Sequence, residues 1–369
     1  MRFLKRKQIS LPLWQNLRMN ILLRSSISFV FFFVLTIYTV SAQEKQYQVL
    51  AAGFYNLENL YDTIDDPEKN DEEFLPKGLK NYTGKTYLEK LDRLSEVISK
   101  LAIEKTPDGP ALLGVAEIEN RQVLEDLVKH PSLASRNYRI CHHNSPDVRG
   151  VDVGLLYNPK YFVPIKSHSV NVPLYSSSGN LIKTRDILWV EGYLLGEKIH
   201  VFVNHWPSRR GGEEASSPLR QKAASVCKHT MDSIEVAEPG AKMIVMGDLN
   251  DDPMSPSIKK VLNAVGTVEK MTEKTMFNPF EPFYKKGIGT LAWQDSWNLF
   301  DQVIFSPSWV SQPAQGWFFS KAEVFNRPFL TQKTGNFKGY PQRTYVGNEY
   351  QGGYSDHFPV LVYLYREKK

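Results

Sequence analysis

Lys242 to Asp252 is KMIVMGDLNDD, an apolar run that stops abruptly in a glycine, a carboxylate, a leucine and a carboxamide. Residues two apart at a strand end point the same way, so Asp248 and Asn250 can face a common point. The carboxylate there can hold a metal or polarise a water, whereas the amide can only hydrogen-bond. Alone, the stretch is equally an Asx-rich turn between strand and helix. Its weight comes from repetition along the chain. Asn56 follows YQVLAAGFY, Glu117 follows ALLGVA, Asp152 sits inside RGVDVGLLYNP and His205 follows IHVFVN. Asp301 is embedded in LFDQVIFS, and Asp356 and His357 directly precede the last apolar run. Any one of these is most simply a solvated acid or a packed histidine. Together they supply what a phosphoester hydrolase needs. Hard divalent cations are held by one or two carboxylates with waters and phosphate oxygens; the remaining groups can position a water, take its proton and protonate a leaving oxygen.

The elements that must carry these residues follow from periodicity. Met243 to Met246 are too few and too continuously apolar for an amphipathic helix, which predicts a strand buried on both faces with Asp248 at its C-terminal edge. In an α/β sheet that edge is where ligands bind. Further strands are predicted over Tyr47–Tyr55, Ala111–Ala116, Arg149–Pro159 and Leu299–Ser306, with a closing strand directly after His357 within Gly352–Tyr365 and a hairpin joining Leu188–Leu195 to Ile199–Asn204 across Gly196 and Glu197. Helices are predicted over Tyr87–Leu101, from its apolar spacing at 88, 91, 94, 97, 98 and 101, and over Pro218–Ile234; shorter ones begin at Val123 and Ser257. Asp152 among apolar neighbours needs a partner, and His205 is the natural one.

Composition bounds the rest. The first 42 residues carry six Lys or Arg and no acid, followed by the apolar run Ile27–Val40 and the small-residue site Val40, Ser41, Ala42, the layout of a signal peptide cleaved near Ala42. That run falls short of the ~20 residues that span a bilayer. An exported chain of residues 43–369 is expected, with 39 basic against 40 acidic residues, so the basic pI says nothing about nucleic acid. Cys141 and Cys227 exclude a thiolate metal cluster and leave a single disulfide open.

The ordered series FYNLEN, GVAEIEN, SPDVRGVDVGLLY, NHWPSR, GDLND, FDQVIFS and YSDHFPV resembles the endonuclease/exonuclease/phosphatase superfamily over residues 47–365. That resemblance implies an α/β fold, a four-layer sandwich of two packed, mostly antiparallel sheets flanked by helices. It implies that Asn56 and Glu117 hold a catalytic Mg²⁺ or Mn²⁺ with Asp356 beside it, and that His357 is a general base oriented by Asp301. Asp248 would position or deprotonate the water, Asn250 would bond the phosphate or that water, and His205, supported by Asp152, would stabilise the phosphate or protonate the leaving oxygen. Deoxyribonuclease-like members carry a longer acid near Asp152, and abasic-site enzymes a tyrosine. Between Val324 and Asn348, Arg327, Lys333, Lys338 and Arg343 alternate with aromatic residues, a pattern suited to a stacked, phosphate-bearing polymer; a loop packed on its own aromatics is the alternative. Arg185, Arg209 and Arg210 could line the same groove. The expectation is an exported, monomeric nuclease acting on DNA or RNA with no obligate protein partner, the alternative being a phosphatase or phospholipid phosphodiesterase.

Overall fold

The computed structural model describes residues 46–310 and 316–368, so the leader at residues 1–42 lies outside the described residues. The elements that matter are β1 (Tyr47–Leu60), α1 (Gly84–Lys100), β2 (Leu112–Ile118), α2 (Arg121–Lys129), β3 (Arg139–His142), β4 (Asp152–Tyr157), β5 (Phe162–Val170), β6 (Ile187–Leu194), β7 (Glu197–His205), α3 (Glu213–Ala237), β8 (Met243–Asp248), β9 (Asp301–Phe305), β10 (Phe318–Val324) and β11 (Val360–Glu367). One sheet has the order β10-β11-β1-β2-β4-β3. The other runs β5-β6-β7-β8-β9 and ends in two short strands, Met276–Phe277 and Ala264–Val265. Within each sheet most neighbours are antiparallel; β1 with β2, β7 with β8 and the two short strands with each other are parallel.

Period-two patterning explains the layers. Val201, Val203, Ile244 and Met246 point into the core between the sheets, while Phe202 and Val245 point out against Ala223, Ala224, Cys227 and Met231 of α3. A strand buried on both faces has no polar alternation, which is why Met243–Met246 looks continuous. The sheets approach closely where a side chain is missing: a Cβ on Gly114 of β2 would lie 2.6 Å from Met246 Sδ. On the far side, Leu91, Leu94, Val97 and Ile98 of α1 and Val123, Leu124 and Leu127 of α2 cover the first sheet. The outcome is helix, sheet, sheet, helix, the expected four-layer sandwich.

Local chemistry sets the element ends. Thr83 caps α1, its hydroxyl accepting from the Thr86 N–H, and the Asn120 side chain caps α2 by accepting from the Val123 N–H. Leu88 is exposed, so the apolar stripe of α1 starts one turn later than its spacing suggests. The β6–β7 hairpin turns through Leu195 and Gly196, both at positive φ. α3 starts five residues before Pro218 because Glu213 and Glu214 favour its positive N-terminus and Ser216 Oγ donates to the Gly212 carbonyl. The helix expected from Ser257 is only the turn Ser257–Val261, after which the chain joins the sheet edge at Ala264–Val265. Cys141 and Cys227 are both free and lie in different apolar clusters, which settles the disulfide left open by sequence. Among the described residues no helix is long and apolar enough to cross a membrane.

Candidate functional site

Sheet register gathers the polar residues. Asp248 at the end of β8 pairs with His205 at the end of β7 and with Asp301 at the start of β9, so three consecutive strands place three ionisable side chains in a row. On the opposing sheet, β1 and β2 break register just where they reach this end, between Asn56 and Leu60 and again between Ala116 and Ile118. Glu58, Asn59 and Glu117 occupy positive φ there. Bulges of this kind re-aim side chains and are frequent beside active sites. The turn preceding β11 is tied to the same end, since Ser355 Oγ donates to the Asn56 carbonyl and accepts from the His357 N–H.

The residues meet at one oxygen, Asp248 Oδ2. Asn56 Nδ2 donates to it at 3.1 Å, His205 Nε2 lies 3.7 Å away and His357 Nε2 3.9 Å away. Glu117 Oε1 is 3.8 Å from the same His205 nitrogen, and Asp356 Oδ1 is 3.9 Å from His357 Nε2. Asp301, fully buried, bonds His357 Nδ1 at 2.7 Å and so fixes which nitrogen faces Asp248. Asn250, at positive φ, gives its backbone N–H to Asp248 Oδ1 and its side-chain nitrogen to the Trp206 carbonyl. It therefore braces Asp248 against the end of β7.

Electrostatics follow from crowding these acids in a dry place. Burial pushes the Asp248 carboxyl up to about 7, with His357 pulling it down and Asp301 pushing it further up. Burial alone would lower His357, but the charge and hydrogen bond of Asp301, with Asp248 and Asp356, raise it well above its ordinary value. His205 goes the other way: burial, then Arg185, Arg149 and His357, hold it well below, so it is a neutral imidazole. Its Nε2 faces two acids while Nδ1 is buried without a partner, surroundings that favour the tautomer protonated on Nε2.

Two arrangements of ligand atoms compete for a cation. Asp248, Asp301 and His357 bring donor atoms within 4.8 Å of one another, yet the Asp301 oxygen nearest His357 is already bonded there. Glu117 and Asp356 keep side chains 16% and 29% exposed, on the side that solvent reaches. Asn56 Oδ1 already accepts the Glu58 N–H, leaving one lone pair. The donors are carboxylates and an amide with no thiolate among them, the set that magnesium or manganese prefers. Glu58, two residues past Asn56, is also pushed up to about 7, first by burial and then by Asp356, although Lys90 opposes this. Two carboxyls raised that far, first by burial and then by neighbouring acids, fit a site for a divalent cation.

Two sequence-based placements change. Asp152 does not meet His205: it bonds His142 Nε2 at 3.0 Å and the Ser145 N–H and hydroxyl, because β4 pairs with β3 and not with β7. Arg185 does not line an open groove; it is 8% exposed and joins Asp147 at 3.2 Å and the Trp206 carbonyl at 2.7 Å. Arg209 bonds Asp252, Glu213 and the Asn250 carbonyl beside the site, while Arg210 is exposed. Of the basic aromatic segment, Arg327 is drawn away to Glu323, Arg343 reaches Asp356 at 3.7 Å, and Lys333, Phe337 and Lys338 are exposed. Sequence reasoning passed over Glu58, Lys90 and Arg149. Glu58 stands in FYNLEN at the strand-end spacing already used for Asp248 and Asn250, and Arg149 stands in SPDVRGVD; Lys90 carries no signal, since it lies on a helix face that looks solvated.

A model of the endonuclease/exonuclease/phosphatase family matches residues 51–366. Among solved structures, a family protein from Bacteroides thetaiotaomicron is 15% identical with a TM-score of 0.53, covering 88% of this chain and 97% of that one. A mannosyl-6-phosphatase from the same organism is 15% identical with a TM-score of 0.51, covering 85% and 99%. The D. rerio TDP2 complex with a single-strand DNA product is 14% identical with a TM-score of 0.50, covering 86% and 99%. At such identities the likeness establishes the fold. No curated protein matches the chain.

Proposed function

The chain belongs to the endonuclease/exonuclease/phosphatase family of phosphoesterases, and on that premise we propose that it is a divalent-metal-dependent phosphodiesterase that cleaves nucleic acid. The observation that carries the hydrolytic reading is the convergence of Asn56, His205 and His357 on Asp248 Oδ2, with Asp301 locking His357 from behind. Glu117 and Asp356, with the free lone pair of Asn56, would hold the magnesium or manganese, which when bound neutralises phosphate oxygens and acidifies water. Asp248 and His357 share the duty of holding the water and taking its proton; a carboxyl near 7 is poised for that at neutral pH. Asn250 keeps Asp248 aimed. His205 directs an N–H toward the acid edge where the phosphate lies, a donor for its charge or for the leaving oxygen.

The nucleic-acid reading rests on two arginines beside the metal-site acids and on exposed basic residues in the loops. Arg149 faces Glu117, Arg343 faces Asp356, and Arg210, Lys333 and Lys338 are exposed. Residues 1–42 would export the enzyme, which acts as a monomer without a partner chain. A phosphatase or phospholipid phosphodiesterase is the second reading, favoured by the near-neutral charge of residues 43–369. The purified full chain assayed on plasmid DNA, RNA, sphingomyelin, inositol phosphates and hexose phosphates, with Mg²⁺ or with EDTA, separates the two. Metal-dependent cleavage of DNA or RNA is expected. Cleavage of lipid or monoesters with nucleic acid untouched overturns the nuclease.

A further inference from the structure

Beside the proposed centre lies a hollow of about 720 Å³ that none of the catalytic assignments uses. Clefts of ~300–1,000 Å³ take small ligands. One wall is the hairpin Leu291–Asn298, whose tip turns through Gln294 and Asp295, both at positive φ. Two of its indoles line the hollow from opposite faces of the hairpin, because Trp297 pairs with Ala292 and Trp293 with Ser296, and Tyr284 stands among the lining residues with them. Trp293 is 63% exposed, which leaves most of an indole face free to be covered. The other wall is Arg209 with Glu213 and Asp252, one guanidinium already bonded to both carboxylates.

Position joins this hollow to the chemistry. Trp297 stacks on Phe358, the residue after His357, at 6.1 Å, and Arg209 donates to the carbonyl of Asn250 at 3.0 Å. The Trp297 and Arg209 sides of the hollow therefore border the segments that carry His357 and Asn250. The platform is also rigid: Tyr340 packs on Trp297 at 5.6 Å, and its hydroxyl donates to Asp295 at 2.6 Å. Charge selects the occupant. Two acids against one neutralised arginine repel a phosphate inside the hollow but accept hydrogen bonds from amino groups. Outside, Phe337 packs on Tyr340 at 5.7 Å, and the exposed Lys333 and Lys338 flank it. A flat, uncharged ring inside with phosphates running past lysines outside describes a nucleotide chain, whereas a lone sugar would leave the basic aromatic rim unused.

We propose that this hollow is a nucleobase pocket, in which the exposed Trp293 stacks a base of single-stranded nucleic acid adjacent to the phosphate held at Asp248, Trp297 closes the end nearest His357, and the Glu213 and Asp252 wall receives the amino edge of the base. The inference rests on the nuclease reading, and its test keeps the two apart. The full chain and Trp293→Ala are titrated in EDTA with a fluorescent single-stranded pentanucleotide, with the same strand lacking one base, and with hexose phosphate as competitor; cleavage of plasmid and single-stranded DNA is followed separately with Mg²⁺. Trp293→Ala should bind the pentanucleotide about 5- to 100-fold more weakly, the effect of losing a base stack, and should no longer distinguish the strand lacking a base. Because Trp293 is mostly exposed, its thermal midpoint should stay within about 2 °C of wild type, the behaviour of a surface substitution. Binding within twofold of wild type, by an enzyme that still cleaves DNA, overturns the pocket alone. Pentanucleotide binding that depends on Trp293, without any cleavage, supports the pocket and sinks the nuclease. Hexose phosphate displacing the strand from wild type but not from Trp293→Ala overturns the nucleobase assignment.

Discussion

Lys90→Met is the perturbation with the most to say about how the site is held. Lys90 is 1% exposed, and its ammonium bonds Thr344 Oγ1 at 2.5 Å and the Tyr354 carbonyl at 3.4 Å, 3.9 Å from Glu58. Glu58 in turn accepts the Thr344 N–H. One buried cation from α1 thus staples the bulge after Asn56 to the segment that delivers Asp356 and His357. Methionine keeps most of the packing and removes the charge. Loss of charged hydrogen bonds costs about 1.5–3 kcal/mol, and leaving Glu58 buried and charged without its partner raises the total to about 3–5 kcal/mol.

Glu58 can avoid the second cost by taking a proton. Its folded value is already near 7, above the ordinary carboxyl value, first because it is buried. A raised folded value means that its contribution to stability is complete below the ordinary carboxyl value and is lost as pH climbs through 7; removing Lys90 pushes that window higher. The variant should lose about 1.5–3 kcal/mol at pH 6, where Glu58 is neutral, and about 3–5 kcal/mol at pH 8. Urea unfolding of the full chain in EDTA at both pH values, wild type beside variant, measures this. Equal losses at both pH values, or a loss under about 0.5 kcal/mol, typical of an ordinary surface change, would refute the staple.

Other outcomes follow from single contacts. Asp301→Asn keeps the shape but removes the charge behind His357 Nδ1, so kcat for a phosphodiester should fall about 10²- to 10⁴-fold with KM nearly unchanged. Asp152→Ala should cost at least about 1–3 kcal/mol in unfolding, since His142 and Ser145 lose a buried acceptor, while kcat drops less than about tenfold, well short of the loss of a general acid; a larger drop would restore Asp152 to the chemistry. Gly247→Ala would set a Cβ 2.2 Å from the Asn204 carbonyl oxygen, between the strands that carry Asp248 and His205. It should lower both the unfolding midpoint and kcat, and normal values for both would contradict the register.

What the sequence revealed depended on whether the signal was local. β8 and β2 are buried on both faces, and such strands announce themselves as unbroken apolar runs, so their ends, and with them Asp248 and Glu117, could be placed before any coordinates. β5 could not: Phe162–Val170 is an edge strand with Pro164 at a break in register, and its polar alternation looks like loop. The pairing of Asp152 failed for a related reason. A buried acid demands a partner, but the identity of that partner is set by strand order, and only the adjacency of β3 to β4 selects His142. Arg185 looked available because nothing in a chain of letters shows that Asp147 turns back to meet it. The bulges at Asn56 and Glu117 were equally hidden, since positive φ at Glu58 and Glu117 is imposed by the fold and not by residue type.

The most direct measurement is turnover of bis(p-nitrophenyl) phosphate by the full chain and its His357→Ala and Glu117→Ala variants, each with Mg²⁺ and with EDTA, alongside unfolding midpoints. Wild-type turnover should need the metal, and both variants should lose about 10²-fold or more, the scale of acid–base participation alone, with folds intact. A folded His357→Ala enzyme hydrolysing the ester at the wild-type rate would show that the groups converging on Asp248 Oδ2 are not its hydrolytic centre.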